Sequence, residues 1–122
     1  MKILTLPVNK AAFDMLADPN PETRKNEEYR RTCEHWERIF LRNVFVKGVQ
    51  VAYPYEGCAL GPDFISKFDA VKFTNGYGHK VPSVIREWKG LTIGKPNPLW
   101  VPTGFLDLDK HYFRIELGEI II

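Results

Sequence analysis

The chain has 122 residues, 44% of them hydrophobic and 26% charged, with a formal net charge of +2. That length fits one domain, residues 1–122, able to bury a core without metal or disulfide staples, and the composition excludes disorder for the body of the chain. The charge is too small to drive tight nonspecific nucleic-acid binding, and no stretch approaches the roughly 20 apolar residues that span a membrane.

Residues 2–8 read as a short apolar strand, interrupted by Pro7. The opening run is too short and broken for a signal-peptide core, which points to a cytoplasmic protein. Asn9 can cap a helix, KAAFDMLAD, whose Ala12, Phe13, Met15 and Leu16 share an apolar side. Asp18-Pro19-Asn20-Pro21 ends it, because proline removes a backbone donor and restricts the residue before it. The stretch RKNEEYR, residues 24–30, favours helix by propensity but has no apolar stripe to bury. It reads better as a turn around Lys25 leading into a short strand, with Glu28 and Arg30 on one face and Tyr29 and Arg31 on the other. Thr32 can cap a second helix over residues 33–42, with Cys33, Trp36, Ile39 and Phe40 inward and Glu34, Glu37 and Arg38 toward water.

Residues 43–67 read as an insertion or variable excursion, with a possible strand over 44–51 followed by Tyr-Pro-Tyr and glycine turns. Residues 70–74 form a short strand with Val71 and Phe73 on one face. Asn75-Gly76-Tyr77-Gly78 is a strong turn, since Gly and Asn tolerate positive φ. Residues 83–93 are the longest strand candidate. Strict alternation puts Val84, Arg86 and Trp88 on one face and Ile85, Glu87, Lys89 and Leu91 on the other, so that Glu87 can project into a barrel mouth. Residues 94–104 are a proline-rich loop, and residues 112–122 a closing strand broken at Gly118. Many short strands with two flanking helices predict a mainly β, α+β fold, a small barrel in which closure removes exposed edges.

Standard catalytic signatures are absent: there is no Gly-rich phosphate loop, nucleophile elbow or paired-His motif. Cys33 and Cys58 have neither CxxC nor zinc spacing and read as reduced thiols. His35, His79 and His111 are scattered, which predicts no metal site, and nothing in the chain calls for a cofactor.

Three stretches carry a family resemblance: KILTLPVNKAAFDML, then TRKNEEYRRTCEHW, then FDAVKFTNGYG through EWKGLTIGKPNPLW to the closing YFRIELGEIII. In order and spacing the chain resembles the ASCH family, small bacterial and phage-type proteins with a PUA-like β-barrel. The resemblance covers most of the chain apart from residues 43–67. On the family signature Gly-x-Lys-x-x-Glu-x-Arg, Lys25 takes the lysine, Glu28 the glutamate and Arg30 the arginine. Thr23 stands where the family has glycine, and threonine does not readily take positive φ. The resemblance implies a cleft that binds RNA or a modified nucleoside through Lys25, Glu28 and Arg30, with Asn75, Gly76 and Tyr77 of the glycine turn.

Such residue types suit that ligand. Lysine and arginine contact phosphate, a glutamate accepts from an exocyclic amine, and a tyrosine ring stacks on a base. The plainer reading of Lys25, Glu28 and Arg30 is a solvated edge with a structural ion pair, and of Gly76 and Tyr77 simply a turn. Two other functions compete with binding. Some ASCH proteins hydrolyse the amide of N4-acetylcytidine with a lysine, a threonine and a strand glutamate. Here Lys25 is kept, Glu28 occupies the threonine position, and Glu87 is the candidate strand glutamate, which leaves an amidohydrolase or ribonuclease built on Lys25, Glu28 and Glu87 as the alternative. The third reading is an accessory protein of a mobile element that binds a protein partner through residues 43–67, using Tyr53, Tyr55 and Phe64.

Overall fold

The computed structural model describes residues 1–42, 45–47, 49–50, 62–101 and 106–121. Five strands form one sheet: β1 (Ile3–Val8), β2 (Glu27–Arg30), β5 (Ala70–Asn75), β6 (Ser83–Gly94) and β7 (Tyr112–Ile120). Their spatial order is β1-β5-β6-β7-β2, with β1 and β5 parallel and the other pairs antiparallel. The sheet curls into a half-barrel flanked by two helices, α1 (Lys10–Leu16) and α2 (Glu34–Phe40). The chain is thus mainly β with flanking helices, the expected α+β small-barrel class. Among the described residues no helix is long and apolar enough to cross a membrane.

Local chemistry explains most of the elements. In β1, Leu4, Leu6 and Val8 pack into the core while Ile3 and Thr5 stay exposed. Pro7 does not break this strand. It pairs in register with Thr74, and the Val8 carbonyl accepts from Gly76 N–H, so residue 7 directs its backbone the opposite way, toward the unpaired side. An edge strand tolerates a missing N–H there. Asn9 caps α1 as expected, its Oδ1 accepting from Ala12 N–H at 2.8 Å. The cap of α2 is Cys33 and not Thr32, and it makes no side-chain cap bond; the first helical hydrogen bond runs from Glu37 N–H to the Cys33 carbonyl. Cys33, Trp36, Ile39 and Phe40 are at least partly covered and Glu34 and Arg38 exposed, as the amphipathic pattern predicts; Glu37 alone departs from it and is buried, so the helix packs on more than one stripe.

Strict alternation fails in β6. The register against β7 shifts between Arg86 and Trp88 and again between Trp88 and Gly90. These irregularities turn the strand over, so Val84 and Arg86 face the core before them and Leu91 and Ile93 after them. Leu91 therefore joins the core and not the face of Glu87. Nor does Gly118 break β7. It lies within the strand, and a Cβ there would run into the Glu87 carboxylate and the Lys89 stem.

The region 44–51 is not one strand. β3 (Phe45–Val46) and β4 (Val49–Gln50) pair antiparallel as a separate ribbon, and Lys47 between them has φ of 50°, which a continuous strand does not allow. The excursion is closed at its root by Arg42 N–H to the Phe64 carbonyl and Ser66 N–H to the Phe40 carbonyl. Phe64 is half-buried and packs against the core. Tyr53, Tyr55 and Cys58 lie outside the described residues.

The core joins both helices to the sheet. Phe113 of β7 and Phe40 of α2 are fully buried and meet edge to face at 5.4 Å between centroids. Phe113→Ala should cost about 3–5 kcal/mol, and Asn9→Ala about 1 kcal/mol, both read from urea unfolding. Equal costs for the two variants would contradict this core assignment.

Candidate functional site

The strands at the two ends of the sheet, β1 and β2, do not pair with each other. Between them lies a cavity of about 560 Å³, walled by Leu4–Val8, by Lys25, Glu28, Tyr29 and Arg30, and by α2, with Tyr77 at its rim. One side chain spans the gap: Arg30 of β2 donates from Nη2 to the Pro7 carbonyl of β1 at 3.2 Å. Its Nη1 donates to its own strand at the Tyr29 carbonyl, 2.8 Å, and its guanidinium lies over the Trp36 ring at 5.2 Å.

The polar centre is a three-residue cluster. Lys25 Nζ sits 3.0 Å from Glu28 Oε1, with Lys25 only 2% exposed. Arg30 Nη1 sits 3.4 Å from Glu28 Oε2. Glu28 Oε1 also accepts from Tyr29 N–H at 3.0 Å. Among the described residues Oε1 therefore has one hydrogen-bond donor and one ionic contact, whereas Oε2 has only the longer Arg30 contact and no hydrogen-bond donor. The Lys25 ammonium has three protons and, among the described residues, one ionic partner, and it rests over the Tyr29 ring at 5.2 Å. A donor with spare protons thus stands beside an acceptor with a spare lone pair, both in a mostly apolar pocket where polar contacts are strengthened.

Local structure holds this cluster in place. Lys25 N–H donates to the Met15 carbonyl at 2.9 Å, which ties the connector to the end of α1. Thr23 needs no positive φ: its hydroxyl donates to Asp18 at 2.6 Å, a bond that, with the Asn20 N–H, holds the Asp18 carboxyl below its usual range. Tyr29 donates from its hydroxyl to Glu27 at 2.8 Å and accepts there from Asn97 N–H at 3.0 Å. Burial, reinforced by the Glu27 hydrogen bond and the charges of Glu27 and Glu28, keeps this phenol above the ordinary tyrosine range, hence neutral.

Of the residues singled out from sequence, the fold brings Lys25, Glu28, Arg30 and Tyr77 to the cavity. Tyr77 is 89% exposed, between Gly76 and Gly78 at φ of 83° and 122°. Asn75 and Gly76 do not line it; they anchor the turn, Asn75 in register with Val8 and Gly76 N–H on the Val8 carbonyl. Glu87 is not brought there either. It is exposed, sits opposite Ala70, and lies over Gly118. Sequence reasoning missed the β1 edge, Tyr29, His35, Val101, Leu106 and the cavity role of Trp36, which the helical stripe assigned to the core. The one available signal was proline in β1, which marks an edge strand. Among the described residues no three His, Cys, Asp or Glu side chains gather as a metal site. Comparisons with models of protein families, with curated proteins and with solved structures found no match.

Removing the carboxylate strands a buried cation. Glu28→Leu should cost about 3–5 kcal/mol, whereas Lys25→Met with Glu28→Leu together should recover much of that loss. Urea unfolding of the single and double variants checks this; additive losses would mean the pair is not coupled.

Proposed function

We propose that the protein binds a single nucleoside, ordinary or modified, in the cavity between β1 and β2. The observation that carries this reading is the meeting of Lys25, Glu28 and Arg30 inside a mostly apolar pocket of about 560 Å³. That volume lies in the range of small-molecule sites. A nucleobase edge places an acceptor beside an N–H, the complement of the Lys25 ammonium and Glu28 Oε2. Tyr77 at the rim offers a ring for stacking. The likeness of residues 24–30 to the ASCH signature adds support of a separate kind.

Charge placement favours a nucleoside over an extended RNA strand. A strand-tracking groove needs exposed cations along the phosphates. Here Arg24, Lys25 and Arg86 are all buried, and Arg30 is committed to two carbonyls. A hydrolase acting on an N-acylated base is the second reading, favoured by the Lys25–Glu28 contact alone. Glu87, exposed and not among the cavity's lining residues, has no part in it, so Glu28 would have to activate water while Lys25 polarises the acyl oxygen.

The test is calorimetric titration with cytidine, uridine, adenosine, guanosine and N4-acetylcytidine, followed by chromatography of each mixture. Saturable binding of at least one nucleoside is expected, weakened tenfold or more, about 1.4 kcal/mol, by Arg30→Ala or Tyr77→Ala. A 12-nucleotide RNA should bind no more tightly than that nucleoside and with little salt dependence. No heat from any of the five nucleosides overturns the reading, and conversion of N4-acetylcytidine to cytidine replaces binding with hydrolysis.

A further inference from the structure

We infer that Arg86 is a positioning residue for the cavity, acting through the main chain of Lys25. Arg86 is fully buried and lies outside the cavity wall. No carboxylate pairs with it among the described residues. Instead its guanidinium is surrounded by oxygen. Nε donates to the Gly118 carbonyl at 2.9 Å, Nη1 to the Leu16 carbonyl at 3.0 Å and the Lys25 carbonyl at 2.8 Å, and Nη2 to Asn26 Oδ1 at 2.7 Å. Four of its five N–H groups are thereby used.

The four acceptors come from three separate parts of the chain. Leu16 is the last residue of α1, whose end presents carbonyls without helical partners. Lys25 and Asn26 form the connector into β2, and Gly118 lies in β7. Arg86, in β6, therefore fixes the connector against the sheet and the helix at once. Asn26 is held from its other side as well, its carbonyl accepting from Leu117 N–H at 3.0 Å. With the Lys25 main chain clamped this way, its ammonium is delivered to Glu28 from a fixed root. Lysine cannot replace this fork, since its three donors radiate from one atom. Burial, with the Arg24 charge nearby, pulls the Arg86 guanidinium down to about 10, so it remains charged and donating at neutral pH.

The affinity consequence rests on the nucleoside reading; the effect on Lys25 does not. Arg86→Lys and Asn26→Ala are made in the full chain, each checked for cooperative unfolding. The first readout is the Lys25 side-chain NMR resonance, with Glu28→Gln as the reference for a perturbed pair. The second is the dissociation constant for the same five nucleosides. Arg86→Lys should move the Lys25 resonance to the Glu28→Gln position and weaken binding tenfold or more. Asn26→Ala should move it part of the way and weaken binding about threefold. A merely structural Arg86 would lower the melting temperature and leave the resonance and the affinity of the folded protein unchanged, which would overturn the inference. Should Arg86→Lys not fold, Asn26→Ala decides by the same readouts. Should the wild type bind none of the nucleosides, that failure belongs to the functional reading, and the Lys25 resonance still decides the role of Arg86.

Discussion

The outer strands β1 and β2 do not pair through their backbones, and the resulting gap organises the rest of the molecule. Each leaves one row of backbone groups without a strand partner. Such edges invite pairing with another chain unless something blunts them. Pro7 removes one outward donor from β1, and Arg30 reaches across to cap the carbonyl of that same residue. His35, Trp36 and Ile39 of α2, with Val101 and Leu106, line the remaining opening. What stays open is a pocket and not a closed barrel.

Burying charge at this gap is costly, and the chain meets the cost in two different ways. Lys25 and Glu28 neutralise each other across 3.0 Å, with Arg30 and the Tyr29 N–H taking up further lone pairs of the carboxylate. Arg86 makes no ion pair among the described residues and is solvated by carbonyl and amide oxygens from the end of α1, the connector and β7. The two solutions share a residue: Lys25 gives its side chain to the first and its main-chain carbonyl to the second. The pocket's polar centre is therefore anchored to the core.

Where local rules suffice, the elements were legible. Asn9 announces the start of α1, Asn75 to Gly78 the turn before β6, and the apolar alternation of residues 2–8 and 70–74 the two parallel strands. Lys25, Glu28 and Arg30 were legible as a candidate cluster because residues so close in sequence meet through local strand and turn geometry alone. Leu91 was misplaced for the opposite reason. The register shifts in β6 depend on how β7 lies against it, so no period-two rule applied to β6 alone can locate a residue beyond them, whereas Glu87 keeps the face that alternation gives it, opposite Val84 and Arg86. Cys33, in place of Thr32, and the burial of Glu37 likewise depend on what packs around α2.

By itself, then, the sequence determined the order of the sheet strands and the two helices, the fold class, the glycine turn and the charged cluster of residues 24–30, because local pattern and turn chemistry carry each of them. Only the tertiary structure decided that this cluster is buried, that the β1 edge and α2 form the other walls of its pocket, and that Arg86 lies behind it. Arg86 bonds to residues 70, 61, 60 and 32 positions away, and Arg30 to one 23 away. Contacts of that span exist only once the sheet has curled, and no local pattern encodes which distant carbonyl an arginine will find.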